Sequence, residues 1–419
     1  MAEKNECCRL NFELIPQHRN KMLILKHLLF CLICVFAIRG TAQPNAKKLD
    51  NSLSKIQIES KLPGFAIAIV KYDSIVFSKG YGFADIKSKL PYTTETIQPI
   101  GSISKTFIGL ALMKAIEQGH FTLETAISDI LPFAVTNPNF PNGVIKIKHL
   151  ATHTSGLIDN EDTYMGTYVV GKYPNMSLKD FLNDYYSTSG KLYSDKNFVK
   201  AEAGKSYNYS NIAVSLAAYL IEIKSKMPFD LYTSKYIFQP LKMNDTHWFY
   251  DDSKSKNYAT LYEVNKQTIA LYNQILNADG SLKIYSCNSY PDGSLKTSTA
   301  DMTKYLIAMM KGYFSTSGLL DKQSFTTLFK KQFSEIDMPA NMSEKEPNRA
   351  IFWAYNRKGK LVHTGGDPGV SAFISFDPAT KIGRVILINA ALDGEDDIRI
   401  KTYFQKIVAS LDEFETILK

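Results

Sequence analysis

The hydrophobic pattern of the chain changes character twice. Residues 47–59 are charged and amphipathic, and their spacing predicts a helix that ends near Pro63. Residues 64–72 are apolar and rich in β-formers, Asp73 and Ser74 supply a turn, and residues 75–82 run back, which predicts a hairpin. Gly80-Tyr81-Gly82 precedes no helix and lacks a third glycine, so it reads as a strand-end bulge and not as a phosphate loop. At Ile100 a strand-like lead-in passes into an apolar helix through Leu110, Ala111, Leu112, Met113, Ala115 and Ile116, broken at Gly119. Short helices and loops follow to about residue 285, among them an apolar helix at 212–223, while 250–290 is rich in tyrosine and poor in periodicity. Strand patterns return at 351–355, 361–364, 370–376 and 384–389. A last helix puts Phe404, Ile407, Val408, Leu411 and Phe414 on one face, which predicts packing against that sheet.

Candidate chemistry sits where the first long helix begins. Ser102 and Lys105 are i and i+3, side by side on a helix that Ser102 would open, with the free N–H donors of the helix terminus at the same place. A serine hydroxyl needs a base to take its proton, and a lysine serves when it is neutral, so the pair suits a nucleophilic serine. The same spacing recurs at Ser52–Lys55 and Ser253–Lys256 among polar residues, and a plain helix-capping serine is the other reading of Ser102. Tyr209 and Asn211 precede the apolar helix at 212 and can put a phenol and a carboxamide into one cleft, although Tyr173 and Asn175 share that spacing. His363-Thr364-Gly365-Gly366 lies on a strand, with glycines that let a substrate approach the backbone. His149 and His153 have the spacing of a zinc-binding pair, but Leu150 stands where the glutamate of H-E-x-x-H belongs. Their expected work is to satisfy backbone groups where a helix ends at Gly156.

Composition narrows the setting. At 419 residues, 45% of them hydrophobic, the chain has ample core for one large or two interleaved domains. The first 42 residues read as a signal peptide: Arg19, Lys21 and Lys26, then eleven uncharged residues from 28 to 38, then Gly40, Thr41 and Ala42. Eleven residues are short for a bilayer span, Met22 offers a second start, and no small residue precedes Cys31 or Cys34 as a lipidation site requires. An exported protein, periplasmic or secreted, is therefore expected, with no stable membrane span after cleavage. The leader carries six basic and three acidic side chains, so 43 basic against 38 acidic remain, a spread charge of +5 that argues against a nucleic-acid partner. Four of the five cysteines lie in the leader, which leaves Cys287 as a spare thiol without an internal partner.

Taken together, the motifs resemble those of the serine hydrolases related to class C β-lactamases, a family with D,D-peptidase and esterase members. They occur in the family's order: S-x-x-K at Ser102–Lys105, Y-x-N at Tyr209–Asn211, and H-x-G at His363–Gly365 where β-lactamases carry K-T-G. Lys148 to Leu157 nearly reproduces R-H-L-L-T-H-T-S-G-L, and Pro240–Met243 and Thr299–Asp301 extend the likeness over roughly residues 50–410. The resemblance implies an α+β fold, an antiparallel β-sheet flanked by N- and C-terminal helices. The α/β lobe would comprise about 43–125 and 290–419, with a mostly helical lobe of about 126–289 and the cleft between them. It implies Ser102 as nucleophile, Tyr209 with Lys105 as general base, and Asn211 bonded to the substrate's acyl side chain and to Lys105. Backbone N–H groups of Ser102 and Gly366 would form the oxyanion hole, and His363, Thr364 and Gly365 would line the substrate site. A small-molecule or peptide substrate is implied, with no metal or organic cofactor. Histidine in place of lysine at 363 offers no permanent cation to a substrate carboxylate, which favours esters, amides or D-amino-acid peptides over β-lactams. The chain lacks the G-x-S-x-G elbow of α/β-hydrolases.

Overall fold

Strand β1 (Gly64–Lys71) is buried at every residue as far as Val70, the mark of a strand covered on both faces, and its continuous apolar run reflects that. Its neighbour β2 (Ser74–Asp85) is buried only at intervals, because it lies nearer the edge. Both belong to a computed structural model that describes residues 44–60, 62–263, 271–315, 318–392 and 398–419. The expected signal peptide lies outside the described residues. The chain divides into two units, residues 1–52 and 53–419. Residues 44–52 of the first are helical, and everything below concerns the second.

The second unit is built on an eight-stranded sheet in the order β3-β2-β1-β12-β11-β10-β9-β8, antiparallel at every pairing. Its remaining strands are β3 (Leu90–Pro91), β8 (Asn348–Arg349), β9 (Ala354–Tyr355), β10 (Leu361–Asp367), β11 (Val370–Asp377) and β12 (Ile382–Ile388). Two short ribbons pair β4 (Ile97–Pro99) with β7 (Lys296–Ser298) and β5 (Tyr168–Val170) with β6 (Tyr285–Cys287). The helices that matter below are α1 (Ser104–Glu117), α2 (Ile147–Ala151), α3 (Leu178–Tyr186), α4 (Asn211–Ser225), α5 (Thr299–Phe314), α6 (Lys322–Phe329) and α7 (Ile398–Leu418). The expected α+β class and helix-flanked antiparallel sheet are present. Helix α7 buries Ile407, Leu411 and Phe414, and its Phe404 stacks on Phe373 of β11 at 4.3 Å. On the other face α5 comes so near the sheet that a Cβ at Gly383 would lie 2.8 Å from Met310 Sδ.

Several expectations need correction. Of the strand expected at 351–355 only Ala354 and Tyr355 pair. Ahead of them, the N–H of Ile351 goes to Leu328 O and that of Phe352 to Ala151 O, and Phe352 adopts φ +53°. Those amides serve helix ends, so they cannot join a ladder. The bulge expected at Gly80–Gly82 lies instead between Ile69 and Val70 and at Phe83–Asp85. Gly80 is needed for space, since a Cβ there would fall 2.1 Å from Tyr92 O. Cys287 is fully buried. One continuous buried cluster joins Val70 of β1, Phe107 and Leu110 of α1, Leu182 of α3, Leu216 of α4 and Leu387 of β12.

Candidate active site

Ile100, Gly101 and Ser102 form the turn between β4 and α1, and the helix proper begins at Ser104. Ser102 thus stands in a 3₁₀ turn ahead of the helix, not as its capping residue, and no side chain caps α1. Almost the whole of α1 is buried, so the turn cannot swing away from the core. Lys105 is fully buried, and its Nζ donates to Ser102 Oγ at 2.9 Å and to the main-chain carbonyl of Asp292 at 2.6 Å. A half-buried hydroxyl beside a buried amine is the arrangement that proton removal from Ser102 requires.

Glycines bring β10 against this turn. Gly101 has φ +53°, and a Cβ on it would lie 2.9 Å from Gly366 N. A Cβ on Gly365 would lie 1.9 Å from Ile100 O, so no other residue fits there without moving the backbone. Gly366 N is thereby placed beside the turn that carries Ser102.

The tyrosine side of the site is held by residues from earlier in the chain. Tyr209 is 38% exposed, and its ring lies 5.1 Å from Lys105 Nζ. Behind it stacks His153, ring centroids 4.4 Å apart, and Phe352 packs edge-on against His153 at 5.9 Å. His153 has φ +58°, and its Nδ1 accepts the Ser210 N–H at 3.3 Å, so the proton of the neutral ring sits on Nε2. Burial holds the ring neutral by pushing its pKa well below the ordinary histidine value, with Arg349 and Lys105 adding to the effect. Asp159 closes the set. Its carboxylate accepts from Asn211 N, Ile212 N, Ser210 Oγ and Asn211 Nδ2 at 2.8–2.9 Å. It therefore caps α4 with Ser210, whose own hydroxyl accepts from Ala213 N.

Not every expected residue reaches the cleft. Lys105 Nζ bonds to Ser102 Oγ and lies over the ring of Tyr209, and Gly365 and Gly366 lie against the Ser102 turn. Asn211 gives its amide group to Asp159, not to Lys105, because the first turn of α4 claims it. Thr364 faces the other side of the sheet: it stands opposite Phe373, the residue that stacks on α7, since side chains alternate along β10. His363, one residue earlier, is buried on the face toward Ser102 with Nδ1 fixed on Thr364 O at 2.8 Å. Burial, then the charges of Arg349 and Lys105, depress its pKa to about 3, so it is neutral at physiological pH. His149 and His153 both serve backbone amides, as expected: His149 Nδ1 accepts from Lys146 N and caps α2. Helix α2 ends at Ala151, however, well short of Gly156. Asp159 and Asp292 carried no signal in the sequence, since each acts on an element far along the chain.

Comparison with known proteins fits this geometry. The family model for Beta-lactamase matches residues 47–407. The chain belongs to that family. A protein named Beta-lactamase from Yersinia enterocolitica is 26% identical over 389 residues, covering 88% of this chain and 94% of its own. Protein flp of Staphylococcus aureus is 25% identical over 346 residues, covering 82% of this chain; the match spans 63% of flp's own length. Among solved structures, EstCE1, described as a hydrolase with promiscuous acyltransferase activity, superposes with a TM-score of 0.67 at 19% identity, covering 88% and 99% of the two chains. Membership of the Beta-lactamase family makes this chain a β-lactamase-related serine hydrolase.

Proposed function

We propose that this serine hydrolase works through an acyl-enzyme on Ser102 and cleaves esters, amides or D-amino-acid peptides in preference to β-lactams. The observation that carries the reading is the 2.9 Å contact between Lys105 Nζ and Ser102 Oγ under the ring of Tyr209. Ser102 Oγ attacks the acyl carbon while its proton passes to the Lys105–Tyr209 pair, and the developing oxyanion is met by the N–H groups of Ser102 and Gly366. The pair returns the proton to the leaving alkoxide or amine. Water, deprotonated by the same pair, then frees the acyl group and regenerates Ser102. The preference against β-lactams is supported by His363, which is neutral, buried and tied to Thr364 O, and so presents no cation to a carboxylate. Action outside the cytoplasm is proposed from the leader-like residues 1–42 alone.

Mass spectrometry after exposure to a fluorophosphonate is the test. An adduct on Ser102 that Ser102→Ala abolishes is expected. A folded protein that takes no adduct would instead be a binder of peptidoglycan fragments on the same scaffold. A panel of p-nitrophenyl esters, D-alanine amides and nitrocefin then ranks substrates, and nitrocefin as best by a wide margin would overturn the part of the reading that rests on His363.

A further inference from the structure

A cavity of about 330 Å³ lies beside the acyl-transfer site, and none of Ser102, Lys105 and Tyr209 lines it. Pro99, three residues before Ser102, forms part of its wall and pairs with Lys296 at the start of β7. Lys296 lines the cavity too, yet it is only 4% exposed. Its Nζ donates to the main-chain carbonyls of Trp248 at 3.1 Å and Ser294 at 3.0 Å, which takes up two of its three N–H groups. Among the described residues no carboxylate forms an ion pair with it. The nearby acid Asp367 is engaged by the hydroxyls of Tyr168 at 2.6 Å and Tyr285 at 2.9 Å. Burial pushes Lys296 down to about 8, with Asp367 and Cys287 acting against the fall, so the amine is still mostly protonated at neutral pH. Buried ammonium groups are ordinarily paired with an anion, and here the protein supplies carbonyl dipoles but no counter-charge.

The rest of the lining says what body such an anion would have. The ring of Tyr250 stacks on that of Tyr258 at 3.8 Å, and both line the cavity together with Leu282, Ile284 and Tyr285. Aromatic and aliphatic walls of this kind suit a flat apolar group better than a hydrated inorganic ion. At the exposed end stand Lys256, Lys283 and Asp85. The Asp85 carboxylate is taken up by Ser88 and Thr260, and two cations stand there against that one acid, so the entrance does not repel a negative charge.

We propose that this cavity binds a small carboxylic acid with an aromatic body, its carboxylate on Lys296 and its ring among the tyrosines. The site goes beyond acyl transfer and does not depend on it: failure of Ser102 to take a fluorophosphonate would leave it standing.

Isothermal titration calorimetry at pH 7 with 2-naphthoate, and with 2-naphthamide as its uncharged isostere, tests the proposal. The wild type should bind the acid saturably and at least about tenfold more tightly than the amide, the usual worth of a hydrogen bond to a charged group. Lys296→Met keeps the length of the side chain and removes the charge, and it should abolish that preference. Ile284→Trp fills the cavity and should weaken acid and amide alike, which places the binding here and not in the acyl-transfer cleft. No saturable binding of 2-naphthoate to the wild type overturns the proposal. So does a preference for the acid that survives Lys296→Met, or inorganic phosphate that displaces 2-naphthoate as well as 2-naphthoate displaces itself. If Lys296→Met fails to fold by circular dichroism, Ile284→Trp decides, and undiminished binding of the acid to it overturns the site.

Discussion

Ser102 and Lys105 stand three residues apart, and the buried helix α1 holds their 2.9 Å contact in place. Tyr209 precedes α4 and Asn211 opens it, and the position of that helix start depends on Asp159 and His153, 52 and 57 residues back along the chain from the amides they hold. The first half of the site is local and rests on core packing; the second is assembled from long-range hydrogen bonds and a ring stack. Damage to the two halves should therefore look different: the local half fails chemically while the fold survives, and the assembled half loses chemistry and stability together.

The largest effect should come from the local half. Ser102→Ala is expected to lower turnover by about 10³-fold or more while the melting temperature stays near that of the wild type. A large loss of stability would show that the serine has a structural role as well. Next comes Asp159→Ala, which strips four hydrogen bonds from the start of α4. It should cost about 3 kcal/mol in chemical denaturation and lower kcat/KM about 10²-fold, and a change in only one of the two would break the contrast drawn above. His153→Asn tolerates the left-handed backbone but removes the ring under Tyr209. About a tenfold fall in kcat with little change in KM is expected, from steady-state kinetics on the best substrate of the panel.

The smallest effect, read per pH unit, is a slope. His363 has its pKa depressed to about 3 in the folded protein against an ordinary value near 6.5, so the unfolded chain binds the proton first as pH falls. Its contribution to stability is complete above about pH 6.5 and is lost downward from there toward pH 3, at about 1.4 kcal/mol for each pH unit. Asp292 runs the other way: with its carboxyl raised to about 7, its contribution is complete below pH 4 and fades as pH rises through 7. Asp292 acts on wild type and variant alike, so the difference in denaturation free energy between the wild type and His363→Asn, followed from pH 4 to 8, should be level above about pH 6.5 and change by about 1.4 kcal/mol for each pH unit below it.

The local features were legible in the sequence. The hairpin of β1 and β2, the buried run of α1, the S-x-x-K pair and the apolar stripe of α7 all follow from neighbours a few residues apart. The assembled features were not. Asp159 sits in a loop with nothing to mark it as the cap of a helix that begins 52 residues later, and Asn211 was assigned to Lys105 because that tie was invisible. Thr364 is a different case, because the period of two along a strand separates it from His363 and would have placed it on the far face. The amides of Ile351 and Phe352 bond to Leu328 and Ala151, partners that no pattern of hydrophobicity names.

One uninterrupted interior runs from β1 and β12 through α1 to α3 and α4. Among the described residues, that shared packing ties the helix behind Ser102 to the sheet on one side and to the helix that follows Tyr209 on the other, so a cavity cut into any one of them is felt at both halves of the site.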